Sequence, residues 1–207
     1  MLYTPAHFSA PAAADAVALV RAYPFATLLS VDGGQTQLTH LPLLWRGGRD
    51  GGPDTLEGHM ARANPHWQAF ADGRTTAIFQ GPHAYVSPAG YADPAREVPT
   101  WNYAVAHIHG RPALVDDPER KLALIDRAIA AFEAVRPEPW TRALQGARLD
   151  ALLRNIVAFE IRVERIEAKF KMSQNRTAAD RAGVIRQLEA GADPQAHAVA
   201  RWMREHE

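Results

Sequence analysis

Strand-like segments in this chain come in adjacent pairs joined by tight turns, and that restricts the fold more than any other feature. Phe25–Val31 (FATLLSV) and Gln35–Leu44 (QTQLTHLPLL) flank Asp32-Gly33-Gly34, a turn sequence whose glycines supply the positive φ of a hairpin. Thr55–Met60, Thr75–Gln80, Ala104–His109 and Arg111–Val115 continue as short strands, the last two joined at Gly110. Phe159, Ile161 and Val163 then alternate with Glu160, Arg162 and Glu164, the pattern of a half-buried strand. Parallel neighbours would need a long crossover, usually a helix, between strands. That alternation is absent, so an α+β fold is expected: an antiparallel barrel with peripheral helices.

The helices are expected around this core. Ser9 is placed to cap a helix carrying Val17, Leu19, Val20 and Tyr23 that stops before Pro24. Asn64 followed by Pro65 starts a helix running to about Asp72. Asp117-Pro118-Glu119 starts another, with Leu122, Ile125, Ile129 and Phe132 on one face, closed by Pro137 and Pro139. Thr141–Arg154 reads as helical, and so does a tail from about residue 177, broken near Gly191. Arg46–Asp54 is a Gly-rich surface loop, and Gly81–Thr100, rich in Pro, Gly, Tyr and Ser, reads as irregular. With neither an internal repeat nor a long linker, residues 1–207 are expected to form one domain.

Composition removes several function classes. The chain has no cysteine, which excludes disulfides, thiolate metal sites and Cys nucleophiles. Its 23 basic and 23 acidic side chains cancel, which argues against a protein that coats a polyanion. The sequence lacks GxGxxG, P-loop, GxSxG and HExxH motifs. His107 and His109 point the same way on a strand, but no third ligand is identifiable, so they read as structural and no metal is expected. No signal-peptide pattern and no apolar run of about 20 residues is present, so a cytoplasmic protein is expected.

Four polar segments carry the chemistry. Thr39-His40-Leu41-Pro42 places two hydrogen-bonding side chains in an apolar strand. Gly58-His59-Met60-Ala61-Arg62-Ala63-Asn64-Pro65 brings a guanidinium and an imidazole next to a helix start, a plausible anion site if Asn64 does more than cap and Arg62 is more than solvated. Gly81–Pro88, Tyr91 and Val98–Tyr103 hold three tyrosines and a tryptophan, suited to one wall of a planar ligand's pocket or to a rigid packed loop. Lys169-Phe170-Lys171-Met172-Ser173-Gln174-Asn175-Arg176 resembles a phosphate clamp, with both lysines on one strand face; a solvated basic turn would look the same.

Taken in order, these segments, together with Leu2-Tyr3-Thr4-Pro5-Ala6-His7-Phe8, resemble the PaiB family, described as FMN-binding negative transcriptional regulators. The resemblance spans nearly the whole chain, and departs at Pro88-Ala89-Gly90-Tyr91, where a bulkier residue, often Trp, would precede the Tyr. It implies a split β-barrel of the flavin reductase and pyridoxamine-phosphate oxidase kind, a homodimer, and FMN in a groove lined by both subunits. The chemistry of FMN then suggests roles. Arg62, Lys171 and Arg176, with His59 and Ser173 as neutral donors, suit the phosphate. Trp101, Tyr103 and Tyr85 suit the ring faces, and Thr39, His40, Asn102 and Gln174 its carbonyl edge, while Asn64 starts the adjoining helix. Regulation by DNA contact has no sequence support, for no helix-turn-helix or basic reading helix is recognisable. A flavin-dependent oxidoreductase is the alternative, with His40, His59 or Tyr103 delivering a proton. A flavin or haem binder without DNA contact is another.

Overall fold

Seven strands form one sheet in the order β2-β1-β5-β6-β7-β4-β3. They are β1 (Phe25–Asp32), β2 (Gln35–Pro42), β3 (Leu44–Arg46), β4 (Thr55–Ala61), β5 (Thr75–Val86), β6 (Thr100–Val115) and β7 (Ile156–Lys171). The helices are α1 (Ala13–Ala22), α2 (Pro118–Glu133), α3 (Gly146–Arg154), α4 (Ala178–Ala190) and α5 (Pro194–Glu205). These come from a computed structural model, which describes residues 1–10, 12–48 and 51–206; Arg49 and Asp50 of the Gly-rich loop lie outside the described residues.

The first hairpin forms as expected. Asp32 pairs with Gln35 around Gly33 (φ 52°) and Gly34 (φ 78°), two consecutive positive-φ residues. Only a turn of this hand follows the twist of the flanking strands.

Two expected breaks are absent. β5 runs on through Gly81 to Val86, and β6 is a single 16-residue strand through Gly110. Both glycines are room-makers. A Cβ on Gly81 would strike the Leu19 side chain, and one on Gly110 the Arg162 carbonyl and Ile161. Gly110→Val is therefore expected to cost about 3 kcal/mol through overpacking, read from the urea midpoint; a cost near zero would mean the backbone yields there. Residues 141–145 are not helical, because the Arg142 guanidinium clamps Asp126 (2.7 and 2.9 Å) and donates to the Leu144 carbonyl, and α3 starts at Gly146. Ser9 caps nothing: it bridges to Lys169, and Asp15 accepts from the Ala12 amide at the start of α1.

Backbone contacts divide the chain into two compact units. The terminal unit is Met1–Tyr23, Phe79–His107 and Glu167–Glu207; its core holds Phe79, Phe170, Met172, Ile185 and Met203. In it α4 approaches the loop at Gly90 closely enough that Gly183 cannot carry a side chain. The central unit is Pro24–Ile78 and Ile108–Ile166, with Leu28, Leu43, Leu56, Ile108, Phe159 and Ile161 buried. Its one deeply buried carboxylate among the described residues, Glu57, lies between Arg46 (2.9 Å) and the fork of Arg127 (2.8 and 2.9 Å). Paired this way its charge is tolerable in the interior.

Candidate functional site

In the terminal unit, strand alternation sorts the expected residues into inward and outward sets. Asn102 points in and is fully buried; Trp101 and Tyr103 point the other way. Asn102 Nδ2 donates to Ser173 Oγ (3.0 Å), and Ser173 holds a left-handed backbone at φ 60°. Gln174 clasps the same turn, accepting from the Met172 amide and donating to the Phe170 carbonyl. Ser173 and Gln174 thus build a chain reversal, and the reversal presents cations.

Those cations crowd one another. Lys171 Nζ donates to Thr100 Oγ1 and to the Trp101 carbonyl and lies 5.8 Å from the Phe8 ring centroid. Lys169 is buried between the rings of Tyr3 (5.3 Å) and Tyr103 (5.4 Å) and donates to the Tyr3 carbonyl. Arg176 pairs with Glu97 (2.7 Å) and stacks over Tyr91 at 4.7 Å. Burial, then the charges of Lys169 and Arg176, hold the Lys171 ammonium below the usual lysine value. Beside them stand two rings open to solvent, Trp101 (53% exposed) and Tyr85 (51%), edge to face at 5.9 Å. Tyr91 hides a hydroxyl with no partner among the described residues. Exposed aromatic faces next to mutually repelling cations fit a planar group carrying negative charge.

The central unit holds the other expected residues in a chain of hydrogen bonds around His66, which is 1% exposed. Asn64 Nδ2 donates to Thr39 Oγ1 (3.0 Å), and Thr39 meets His66 Nδ1 (2.8 Å). His66 Nε2 meets Ser30 Oγ (2.9 Å), Ser30 donates to Thr75 (2.9 Å), and Thr75 donates to the Leu29 carbonyl (2.8 Å). The carbonyl can only accept, so each hydroxyl proton points toward it. His66 must then carry its proton on Nε2 and accept from Thr39 on Nδ1. Burial lowers the pKa of His66, consistent with this neutral ring, and also that of half-buried His59.

The expected anion-binding helix start is already occupied here. Asn64 Oδ1 accepts from the His66 amide, and the helix is a 3-10 segment, Pro65–Asp72. Arg62 donates to the carbonyls of Arg154 (2.7 Å) and Ile156 (3.1 Å), closing the end of α3. His40 is exposed, with Nδ1 on Thr27 (3.0 Å).

Sequence reasoning gave His66, Tyr3 and Phe8 no working role, and named Lys169 only as sharing a strand face with Lys171. The alternation shared with Lys171 signals Lys169; nothing in the sequence signals that residues 2–9 fold back onto β7.

Residues 2–165 match the family model described as "Putative FMN-binding domain". A Bacillus subtilis protein, "Protease synthase and sporulation protein PAI 2", is 34% identical over 209 residues, covering 99% of this chain and 97% of the relative. An uncharacterised Aspergillus fumigatus protein is 32% identical, covering 66% of this chain and 67% of its own. Among solved structures, the FAD and heme binding protein from Mycobacterium smegmatis superposes with TM-score 0.60 at 16% identity, covering 84% of this chain and 78% of its own. The flavocytochrome Anf3 from Azotobacter vinelandii gives 0.58 at 15%, covering 84% and 75%. Likeness at those identities is one of fold, the antiparallel split β-barrel with peripheral helices. The chain belongs to the PaiB family of FMN-binding proteins.

Proposed function

We propose that FMN binds on the terminal unit, with its phosphate at Lys171 and Arg176 and its ring against Trp101, Tyr85 and Tyr103. The observation that carries this is the crowding of Lys169, Lys171 and Arg176 beside two exposed rings. A phosphate dianion relieves repulsion among cations, and a flat ring covers aromatic surface. In this reading Asn102, Ser173 and Gln174 position the turn. The flavin, when bound, supplies one- and two-electron redox chemistry; the chain's residues bind and orient it. In the central unit, Thr39, Asn64 and Arg62 hold the internal bonds described above, leaving His40 and His59 as that unit's candidate ligand contacts.

Titrating the protein with FMN, while following flavin fluorescence and absorbance, tests the reading. Stoichiometric quenching that weakens at least tenfold in Trp101→Ala, about 1.4 kcal/mol, is the expected result. A Soret band, or equal affinity in the variant, would contradict it.

The same reading takes the protein as a cytoplasmic homodimer. No helix among the described residues is long and apolar enough to cross a membrane. The outward face of the β1–β2 hairpin exposes Phe25 (66%), Leu38 (59%) and Val31 (51%), with β2 at the edge of the sheet. Exposed apolar surface of this kind is commonly covered by a partner. Leu38→Lys is expected to shift the species seen by light scattering from dimer to monomer without changing the circular dichroism; an unchanged dimer would place the interface elsewhere. A direct DNA role receives no support from α4 and α5. Arg181 is held by the carbonyls of Met172 and Met203, and Arg204 by Glu189.

A further inference from the structure

We infer that the central unit holds a second ligand site, for a small zwitterion of the amino acid kind, in the cleft where α2 begins. Three charged side chains are buried among the described residues: Glu57, Lys121 and Lys169. Arg46 and Arg127 answer Glu57, and two rings and a carbonyl hold Lys169. Lys121, 8% exposed, makes no hydrogen bond, ion pair or ring contact through its ammonium with any described residue. Its place in the chain sharpens the problem. Lys121 closes the first turn of α2, where the helix dipole disfavours a cation. Arg120, in the same turn, is offset by Glu160 at 3.2 Å. Lys121 has no such offset.

A charge held out of water without a partner is costly, and Lys121 Nζ is not sealed in the protein. Among the described residues the one buried side-chain nitrogen or oxygen lacking a partner is the Tyr91 hydroxyl. The Lys121 ammonium therefore opens onto the cleft that Lys121 lines, a space of about 590 Å³, within the range of small-molecule sites. Arg62 also lines it but already donates to the carbonyls of Arg154 and Ile156, so recognition of an anion falls to Lys121. Asp116 and Asp150 line the same cleft, and neither pairs with Lys121 or with any other described cation. With Arg62 and Arg154 the lining sets three cations against two carboxylates, a near balance that suits a neutral zwitterion better than a polyanion. Such a ligand's carboxylate accepts from Lys121 while its ammonium donates to the aspartates. Leu153, also in the lining, offers its side chain an apolar contact. This site shares no residue with the proposed flavin surface.

The test uses full-length protein saturated with FMN and follows amide NMR signals while each of the common protein amino acids is titrated in turn. Saturable shifts at Lys121 and Leu153 with at least one of them are expected. The acid lacking the amine, and the amine lacking the carboxylate, should each bind about tenfold or more weakly, the loss of one charge-assisted contact. Lys121→Met should weaken the amino acid by about the same factor and leave FMN affinity at the wild-type value. Asp116→Asn combined with Asp150→Asn, both at exposed positions, should weaken the amino acid but not the acid that lacks the amine. No saturable shift with any amino acid, or unchanged affinity in both variants, would overturn the site. Equal or tighter binding of the acid without the amine would overturn the assignment to a zwitterion. Shifts at Lys121 and Leu153 on adding FMN itself, with FMN affinity falling in Lys121→Met, would also overturn it, because the cleft would then be the flavin's own. Wild-type FMN affinity in Lys121→Met keeps this inference and the flavin reading apart.

Discussion

Replacing Lys171 and Arg176 together by Ala is expected to weaken FMN binding by about 2–4 kcal/mol, the sum of two charge-assisted hydrogen bonds. By fluorescence titration that is a loss of roughly thirty- to a thousandfold. Arg176 contributes the smaller share, since Glu97 already holds it. The pH dependence has a definite sign. Burial and neighbouring cations lower the pKa of Lys171, so its ammonium loses its proton earlier than an ordinary lysine as pH rises. Bound phosphate favours the protonated form, so affinity should be full at neutral pH and decline on the alkaline side below the usual lysine titration. In the double variant that decline should vanish. Wild-type affinity in a folded double variant would move the phosphate elsewhere, with His40 and His59 of the central unit next in line.

His66→Phe is expected to cost about 3 kcal/mol of stability, measured by urea denaturation. The ring's edge contact with Phe70 (5.7 Å) survives in kind, but Thr39 loses its acceptor and Ser30 its donor, and both lie in the interior network. Ser30 is buried and Thr39 half-buried, and a hydrogen bond lost at such a group is penalised by about 1–3 kcal/mol. The imidazole also sets an acid limit. Its folded pKa is below the ordinary 6.5, so the unfolded chain takes up a proton first as pH falls. Stability should be full above about pH 6.5 and decline below it until the folded ring also titrates. Half-buried His59 shifts in the same direction and adds to the slope. His66→Phe should flatten the profile in part. An unchanged profile would mean that other groups set the acid limit.

Much of the fold was legible because short-range rules govern it. The Gly33-Gly34 hairpin, the capped start of α2 at Asp117 and the break between α4 and α5 near Gly191 follow from local conformational preference. Gly81 and Gly110 misled because glycine has two uses. As punctuation it breaks a strand, but in a sheet interior it admits a neighbour, and only the neighbours, Leu19 and the Arg162 carbonyl, decide between them. The candidate site divided along similar lines. Outward Trp101 and Tyr103 and inward Asn102 follow from strand period alone. The partners of Asn102 and Arg62 do not, since Ser173 lies 71 positions from Asn102 and the Arg154 carbonyl 92 from Arg62. His66 was invisible for the same reason. In sequence it is a histidine after a proline, and its role comes from Ser30 and Thr39, which the β1–β2 hairpin brings to it.

The most direct test of the flavin site is an NMR measurement of intermolecular NOEs in the FMN-loaded protein, with tryptophan and tyrosine selectively labelled. NOEs from the flavin ring methyl and aromatic protons to Trp101 and Tyr85 are predicted. NOEs confined to Trp67 and other probes of the central unit, with Trp101 and Tyr85 silent, would contradict the placement and turn attention to His40 and His59.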